Sequence, residues 1–211
     1  MRAGWIMMLT LMLGGCTYTS EERAKAYRDD AFQQARIGHY ANARDSFQAA
    51  LRQQPNDVGL LYNVGYCSDR IGDNQTAGYY YNQCLRWEPN NPTYRHALAA
   101  LLLRDGRRND AIFVVQDWLA HQPQLAEAYV EDAWLWHELG DSRNAQARLQ
   151  NALEIDPNCV RALVGLGMLY EEMNMPDRAL LLYEQSLRID PKQPDIAQRA
   201  AALRAHQQPA P

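Results

Sequence analysis

A chain of 211 residues accommodates one ordinary domain or one run of repeats, and leaves little room for two large independent folds. Hydrophobic residues make up 47% and charged residues 22%, a globular balance far from disordered or collagen-like composition. Lys and Arg number 21 against 25 Asp and Glu, a net charge of −4, and no basic run is longer than Arg107-Arg108. That excludes the basic excess expected of a nucleic-acid binder.

Residues 1–15 carry one positive charge, Arg2, then an apolar run from Trp5 to Leu13 broken by Thr10, and end in small residues before Cys16. This is the pattern of a signal peptide. The apolar stretch is about half of the ~20 residues that cross a ~30 Å hydrocarbon core, so no permanent transmembrane helix is expected. Leu13-Gly14-Gly15-Cys16 resembles the bacterial lipobox. The resemblance implies that Cys16 is lipidated and becomes the first residue after cleavage, with residues 16–23 as lipidated cysteine and tether. Thr17 stands where lipoproteins retained at the inner membrane often carry Asp, which implies the periplasmic face of the outer membrane. Several acyl chains, at ~0.8 kcal/mol per buried CH₂, suffice for a firm anchor. A plain secretory leader with an incidental cysteine is the alternative.

From residue 24 onward the chain repeats. Pro55, Pro89, Pro123, Pro157 and Pro191 follow one another at intervals of 34 residues. At about 5% Pro per position such a ladder has a chance of order 10⁻⁷, which excludes accident. Ala43, Ala77, Ala111, Ala145 and Ala179 form a second column, and Leu51, Leu85, Leu119, Leu153 and Leu187 a third. Gly38, Gly72, Gly106 and Gly140 form a fourth, completed by Asn174. Gly, or Asn as next best, suits the left-handed residue that ends a helix. The small Ala marks a close crossing of two helices, and Pro ends the second helix of each pair. Ala145, Leu149, Ala152 and Leu153 make one apolar helical stripe.

These columns, with Gly65/Gly167, Gly72, Ala77, Tyr81, Leu85 and Pro89 at the family's spacing, resemble the tetratricopeptide repeat (TPR). The resemblance implies an all-α, right-handed solenoid of five antiparallel helix hairpins, over residues 24–57, 58–91, 92–125, 126–159 and 160–193. Its concave groove is lined by the first helix of each repeat. Residues 194–206, with Pro194 in the first turn and Ile196, Ala200 and Leu203 in one stripe, form the capping helix that an open stack requires. Residues 207–211 are expected to form a disordered tail. Ser20 is expected to cap the first helix, with Glu21 and Glu22 in its first turn.

Three departures carry expectations. Asp30 and Asp132 replace the apolar seventh residue shown by Val64, Leu98 and Leu166. Asp30 is solvated near the stack end, whereas Asp132 either pairs with Arg107, Arg108 or Arg148 or marks a rotated helix, because an unpaired buried carboxylate is costly. Trp118 stands where other repeats have Ala50, Cys84, Ala152 and Ser186, so the joint between repeats three and four is expected to be splayed.

Projection of the family's groove onto this chain gives Phe32, Tyr66, Ala100, Trp134 and Met168 at the ninth place of the first helices. Tyr62, Asn63, His96 and His137 flank them. Aromatic rings give large contact area for little lost entropy, which suits a peptide ligand. Near the far end of those helices Arg36, Arg70 and Arg104 come from repeats one to three and Glu138, Glu171 and Glu172 from four and five, which reads either as a polar gradient that orients a charged ligand or as solvated helix ends. The peptide-binding candidates are therefore Phe32, Tyr62, Asn63, Tyr66, Arg70, His96, Arg104, Trp134, His137 and Met168. The basic and Asn set that captures chaperone carboxylate tails in some TPR proteins is matched only by Asn63.

No zinc motif, phosphate loop or nucleophile elbow occurs: His137-Glu138 lacks the second His of a zincin helix. No catalysis, metal or cofactor is expected. Cys67, Cys84 and Cys159 remain after Cys16, an odd number, and Cys159, in an inter-repeat turn, is expected to be the most reactive. The lipobox and repeats together resemble pilus-assembly TPR lipoproteins, TadD-like or type IV pilotin-like. The resemblance implies a non-catalytic adaptor that binds a segment of a secretin or pilus component. An envelope scaffold recruiting peptidoglycan enzymes, or a soluble co-chaperone if Cys16 stays unmodified, are the alternatives.

Overall fold

The computed structural model describes residues 19–207. The expected leader, Cys16, the start of the tether and residues 208–211 of the tail lie outside the described residues. Among the described residues the chain forms eleven α-helices and no strand. The hairpins are α1 (Ser20–Arg36) with α2 (Tyr40–Gln53), α3 (Val58–Arg70) with α4 (Asn74–Trp87), and α5 (Pro92–Arg104) with α6 (Arg108–His121). Then come α7 (Ala126–Glu138) with α8 (Ser142–Ile155), α9 (Val160–Glu172) with α10 (Pro176–Ile189), and α11 (Pro194–Gln207). Each helix packs on the next along the chain, and α7 also touches α5 and α9. The result is an all-α solenoid of helix hairpins. None of these helices is long and apolar enough to cross a membrane.

Helix ends follow from short-range chemistry. Thr19, not Ser20, caps α1: its hydroxyl accepts from the Glu22 N–H while the Glu22 carboxylate accepts from the Thr19 N–H. This reciprocal box starts the helix inside the stretch assigned to the tether, four residues before Ala24. Asp57, Asp73, Asn91 and Asp141 cap later helices with a side-chain oxygen that accepts from a first-turn N–H, without the reciprocal bond. Within each hairpin, Gly38, Gly72, Gly106 and Gly140 have φ between +72° and +82°, and Asn174 takes φ 56° in the fifth. This is the left-handed region where an ordinary side chain is strained.

Packing explains the remaining columns. The five column alanines are at most 1% exposed. At the eighth place Gly65 and Gly167 lie against the fully buried rings of Tyr81 and Tyr183, and an added Cβ would come within 2.9 and 2.5 Å of them. Where the facing residue is Phe47, Val115 or Leu149, the eighth place is Ala31, Ala99 or Ala133. The bulk of the residue on the second helix thus sets the residue on the first. Buried apolar residues fall into three neighbouring clusters, centred on α1–α3, α4–α7 and α7–α11, as expected when each repeat contacts its neighbours.

Asp132 is fully buried, and Arg148 is its partner, with Nε 2.8 Å from Oδ2. The angle is poor for a hydrogen bond, so the interaction is chiefly ionic. Burial pushes the Asp132 carboxyl up, and Arg148 and the Trp136 indole oppose it. Asp30 is exposed, and Ser46, sixteen residues on as Arg148 is from Asp132, donates to it at 2.5 Å. Trp118 is buried: its Nε1 donates to Asn90 Oδ1 at 3.0 Å, and the Arg95 guanidinium lies 4.9 Å from its ring. Arg95 in turn donates to the carbonyls of Val114 and Pro89 at 2.7 and 2.8 Å. Asn90 and Arg95 thus accommodate the large residue within repeat three and its link from repeat two.

The expectation for Cys159 is corrected. It is the residue preceding α9, only 5% exposed, and burial pushes its thiol up. Cys67 and Cys84 are also buried free thiols, pushed up by burial to about 11 and about 12. None carries the lowered pKa of a reactive cysteine.

Candidate functional site

The ninth-place residues Phe32, Tyr66, Ala100, Trp134 and Met168 occur at equivalent positions of α1, α3, α5, α7 and α9. Phe32, Tyr66 and Met168 are 50%, 38% and 36% exposed, and Trp134 is half-buried. Such exposure of large apolar side chains at four of the five equivalent positions leaves area that a ligand could cover.

The rings group into two sets. In the first, Tyr62 stacks on Tyr66 with centroids 6.4 Å apart, and Tyr40 meets Tyr66 edge-on at 6.1 Å. The Arg70 guanidinium lies 5.0 Å from the Tyr40 ring, and Tyr62 also contacts Tyr94 at 5.3 Å. Burial first, then neighbouring hydroxyls, push the Tyr62 and Tyr66 phenols up, so both stay neutral hydrogen-bonding groups at physiological pH. Phe32 stands edge-on to Phe47 at 5.1 Å. Asn63 spends one amide N–H on the Gly59 carbonyl at 2.8 Å.

The second set spans repeats three to five. The His96 ring lies 4.1 Å from that of Trp134, and its Nδ1 is 2.9 Å from Glu131 Oε2. Glu131 is fully buried and is also held by Arg161, which reaches Glu127 as well at 2.5 Å. One carboxylate thus ties together three successive repeats. His137 Nε2 lies 2.8 Å from Glu172 Oε2. Between α7, α8 and α9, beside Trp134 and Met168, is an open cavity of about 190 Å³ with an almost wholly apolar wall.

Several of the charges expected to make a gradient are already paired. Arg104 bonds Asp69, Glu172 takes His137, and Glu171 takes Arg199 at 2.7 Å together with the Tyr183 hydroxyl. Glu131, Arg161 and Tyr40 escaped the sequence reading. The signal for Glu131 was an offset of 35 residues, one more than the repeat. It recurs in Asp69–Arg104, His96–Glu131 and His137–Glu172 and brings opposite partners together on adjacent first helices. Among the described residues no group of His, Cys, Asp and Glu could hold a metal ion.

Comparisons with known proteins place these features. Residues 34–95 and residues 137–206 each match a tetratricopeptide repeat model, together more than half of the chain. The photosystem I assembly protein Ycf3 of Rippkaea orientalis is 35% identical over 39% of this chain and 49% of its own length. The cellulose synthase operon protein C of Pseudomonas fluorescens is 34% identical over 41% of this chain, which covers 7% of that protein. The chain therefore spans half or less of these relatives. The thermophilic TPR protein TTC0263 of Thermus thermophilus superposes with a TM-score of 0.62 at 23% identity, over 86% of this chain and 99% of that one, a likeness of fold. With the five-fold repeat of 34 residues, the left-handed glycines between paired helices and both halves matching one kind of model, the chain belongs to the tetratricopeptide repeat family, whose fold is generally a non-catalytic scaffold for protein interactions.

Proposed function

We propose that this protein is a lipid-anchored adaptor that grips a polypeptide segment along the face formed by α1, α3, α5, α7 and α9, with no catalysis of its own. The observation that carries the reading is the row of partly exposed large apolar side chains Phe32, Tyr66, Trp134 and Met168 at one place of four of the five first helices, with Ala100 in the fifth. Rings already packed against neighbouring rings, as Tyr66 and Trp134 are, lose little entropy when a ligand covers them. The anchor is read from Leu13-Gly14-Gly15-Cys16, and Thr17 favours the periplasmic face of the outer membrane. Assistance to the assembly of a pilus or secretion complex, through a secretin or pilus component, is the role that joins an anchor to a peptide groove. The relative named as a photosystem I assembly protein supports an assembly role in general terms.

The test is crosslinking in intact cells followed by purification of the protein from membranes. Tyr66→Ala and Trp134→Ala are expected to lose a crosslinked partner that Tyr79→Ala, on the second helix α4, retains. Mass spectrometry of the mature amino terminus should find acylated Cys16, and Cys16→Ala should release the protein from the membrane fraction. Retention of every partner by both groove variants refutes the groove.

A further inference from the structure

Resting on the groove reading above, we propose that the cavity between α7, α8 and α9 receives one phenylalanine- or leucine-sized side chain of the partner polypeptide. In the same proposal, Glu138 pairs with a lysine or arginine of the partner about one helical turn from that anchor.

The size argues for a single side chain. An apolar cavity of about 150 Å³ accommodates benzene, and this one is about 190 Å³ and open to solvent. Its walls are Val130, Trp134, Leu149 and Met168, and its mouth carries the His137–Glu172 pair. Gly165 keeps it open: a Cβ there would stand 3.0 Å from Leu149 Cδ2. At the same sixth place the other four repeats carry Asp29, Asn63, Ala97 and Glu131, each with a side chain to occupy the space.

The charge argues for a basic neighbour. The thirteenth place reads Arg36, Arg70, Arg104, Glu138 and Glu172. Arg104 and Glu172 are each paired with the twelfth-place residue of the preceding repeat, Asp69 and His137. The corresponding residue before Glu138 is Leu103, which offers nothing, and Glu138 is exposed with no partner among the described residues. It lies four residues beyond Trp134, on the same side of α7, and is the last residue of that helix. Glu172 ends α9 in the same way. Helix C-termini carry partial negative charge, so a carboxylate there is unfavourable until a cation approaches. A partner with an apolar anchor and a neighbouring Lys or Arg satisfies the cavity and the free carboxylate together.

The experiment selects a phage-displayed library of random twelve-residue peptides against the immobilised full chain, then measures fluorescein-labelled copies of the enriched peptides by anisotropy. The expected peptides carry Phe or Leu with Lys or Arg three or four positions away. Replacing the anchor by Ala should weaken binding at least about tenfold, as loss of a buried large apolar side chain does. Gly165→Leu, which fills the cavity, should weaken the parent peptide by a similar factor, and a second selection on Glu138→Lys should enrich Asp or Glu at the basic position. Glu138 is exposed, so that variant tests the proposal even if Gly165→Leu does not fold. Peptides whose binding falls with Tyr66→Ala but survives anchor replacement and Glu138→Lys overturn the cavity assignment and leave the groove standing. A library that yields no peptide sensitive to Tyr66→Ala or Trp134→Ala overturns both.

Discussion

Two glycines two residues apart in α9 are expected to respond to the same substitution with opposite signs. In Gly167→Ala the new Cβ would stand 2.5 Å from Tyr183 Cε1 and 2.8 Å from Cδ1. The ring is fully buried, and its hydroxyl donates to Glu171 at 2.7 Å, which Arg199 also holds, so it is pinned at both ends. Overpacking of this kind costs about 1–3 kcal/mol, and Ala returns about 1 kcal/mol of helix propensity. With the ring unable to turn aside the upper part of the range applies, and the net loss is about 1–2 kcal/mol. For a chain of this size that lowers Tm by about 4 °C. In Gly165→Ala the nearest atom is Leu149 Cδ2 at 3.0 Å, the free end of a side chain beside a cavity. The neighbour can yield, and a gain of up to about 1 kcal/mol is expected. Melting followed by circular dichroism at 222 nm decides between them. Adding Tyr183→Leu to Gly167→Ala recreates the Ala133–Leu149 pairing of repeat four, so the double variant should exceed the sum of the single effects by about 1 kcal/mol. A Gly167→Ala protein as stable as the parent, or equal losses in both glycine variants, would refute the reasoning that ring size sets the eighth place.

Glu131→Ala leaves Arg161 without its buried acceptor and His96 without its partner, so a loss of about 3 kcal/mol is expected in urea denaturation; a change below about 1 kcal/mol would show that the network is dispensable. Asp132 has its carboxyl pushed above the ordinary aspartate value near 3.9, mainly by burial. The folded state therefore binds the proton more tightly than the unfolded one. Its contribution to stability is complete below about pH 4 and is lost as pH rises through the raised value. The Tm of Asp132→Asn relative to the parent should climb between pH 4 and pH 7, and a constant difference contradicts this. Cys67, Cys84 and Cys159 should react with a disulfide reagent far more slowly in the native protein than in denaturant, because burial pushes all three thiols up. Rapid native labelling of Cys159 would restore the reactivity first expected of it.

The repeat, its helix ends and the close crossings are legible because each column reports a local necessity, such as left-handed φ at Gly72 or lack of space beside Ala77. The partners of the two seventh-place aspartates are also legible in the sequence, since Ser46 and Arg148 both follow their aspartate by sixteen residues. Glu131 was harder. Its burial comes from convergence of three repeats, and its neighbours in sequence, Val130 and Asp132, say nothing about His96 or Arg161. The cap of α1 was misplaced by one residue because Thr19 and Ser20 have the same capping chemistry, and only Thr19 has Glu at the distance that closes the box. The cavity had no direct signature: it is space left by Gly165, and a small residue in a helix signals close packing as readily as an opening.

The pairing pattern also narrows what a ligand can sense electrostatically. Once Arg104, Glu171 and Glu172 are assigned to partners inside the stack, the charges left at the ends of the first helices are Arg36, Arg70 against the Tyr40 ring, and Glu138. The positive charges belong to repeats one and two and the negative one to repeat four, so a segment laid along the face meets two separated fields of opposite sign. At ~0.15 M salt the Debye length is about 8 Å, shorter than the combined width of two or three packed helices at 8–10 Å spacing, so each field acts on its own stretch of ligand. Direction along the groove is then set by two local contacts, and reversing Glu138 alone should weaken the polarity without abolishing it. Arg36→Glu combined with Glu138→Lys should favour the opposite orientation, readable as exchange of crosslinks from the two ends of a bound peptide.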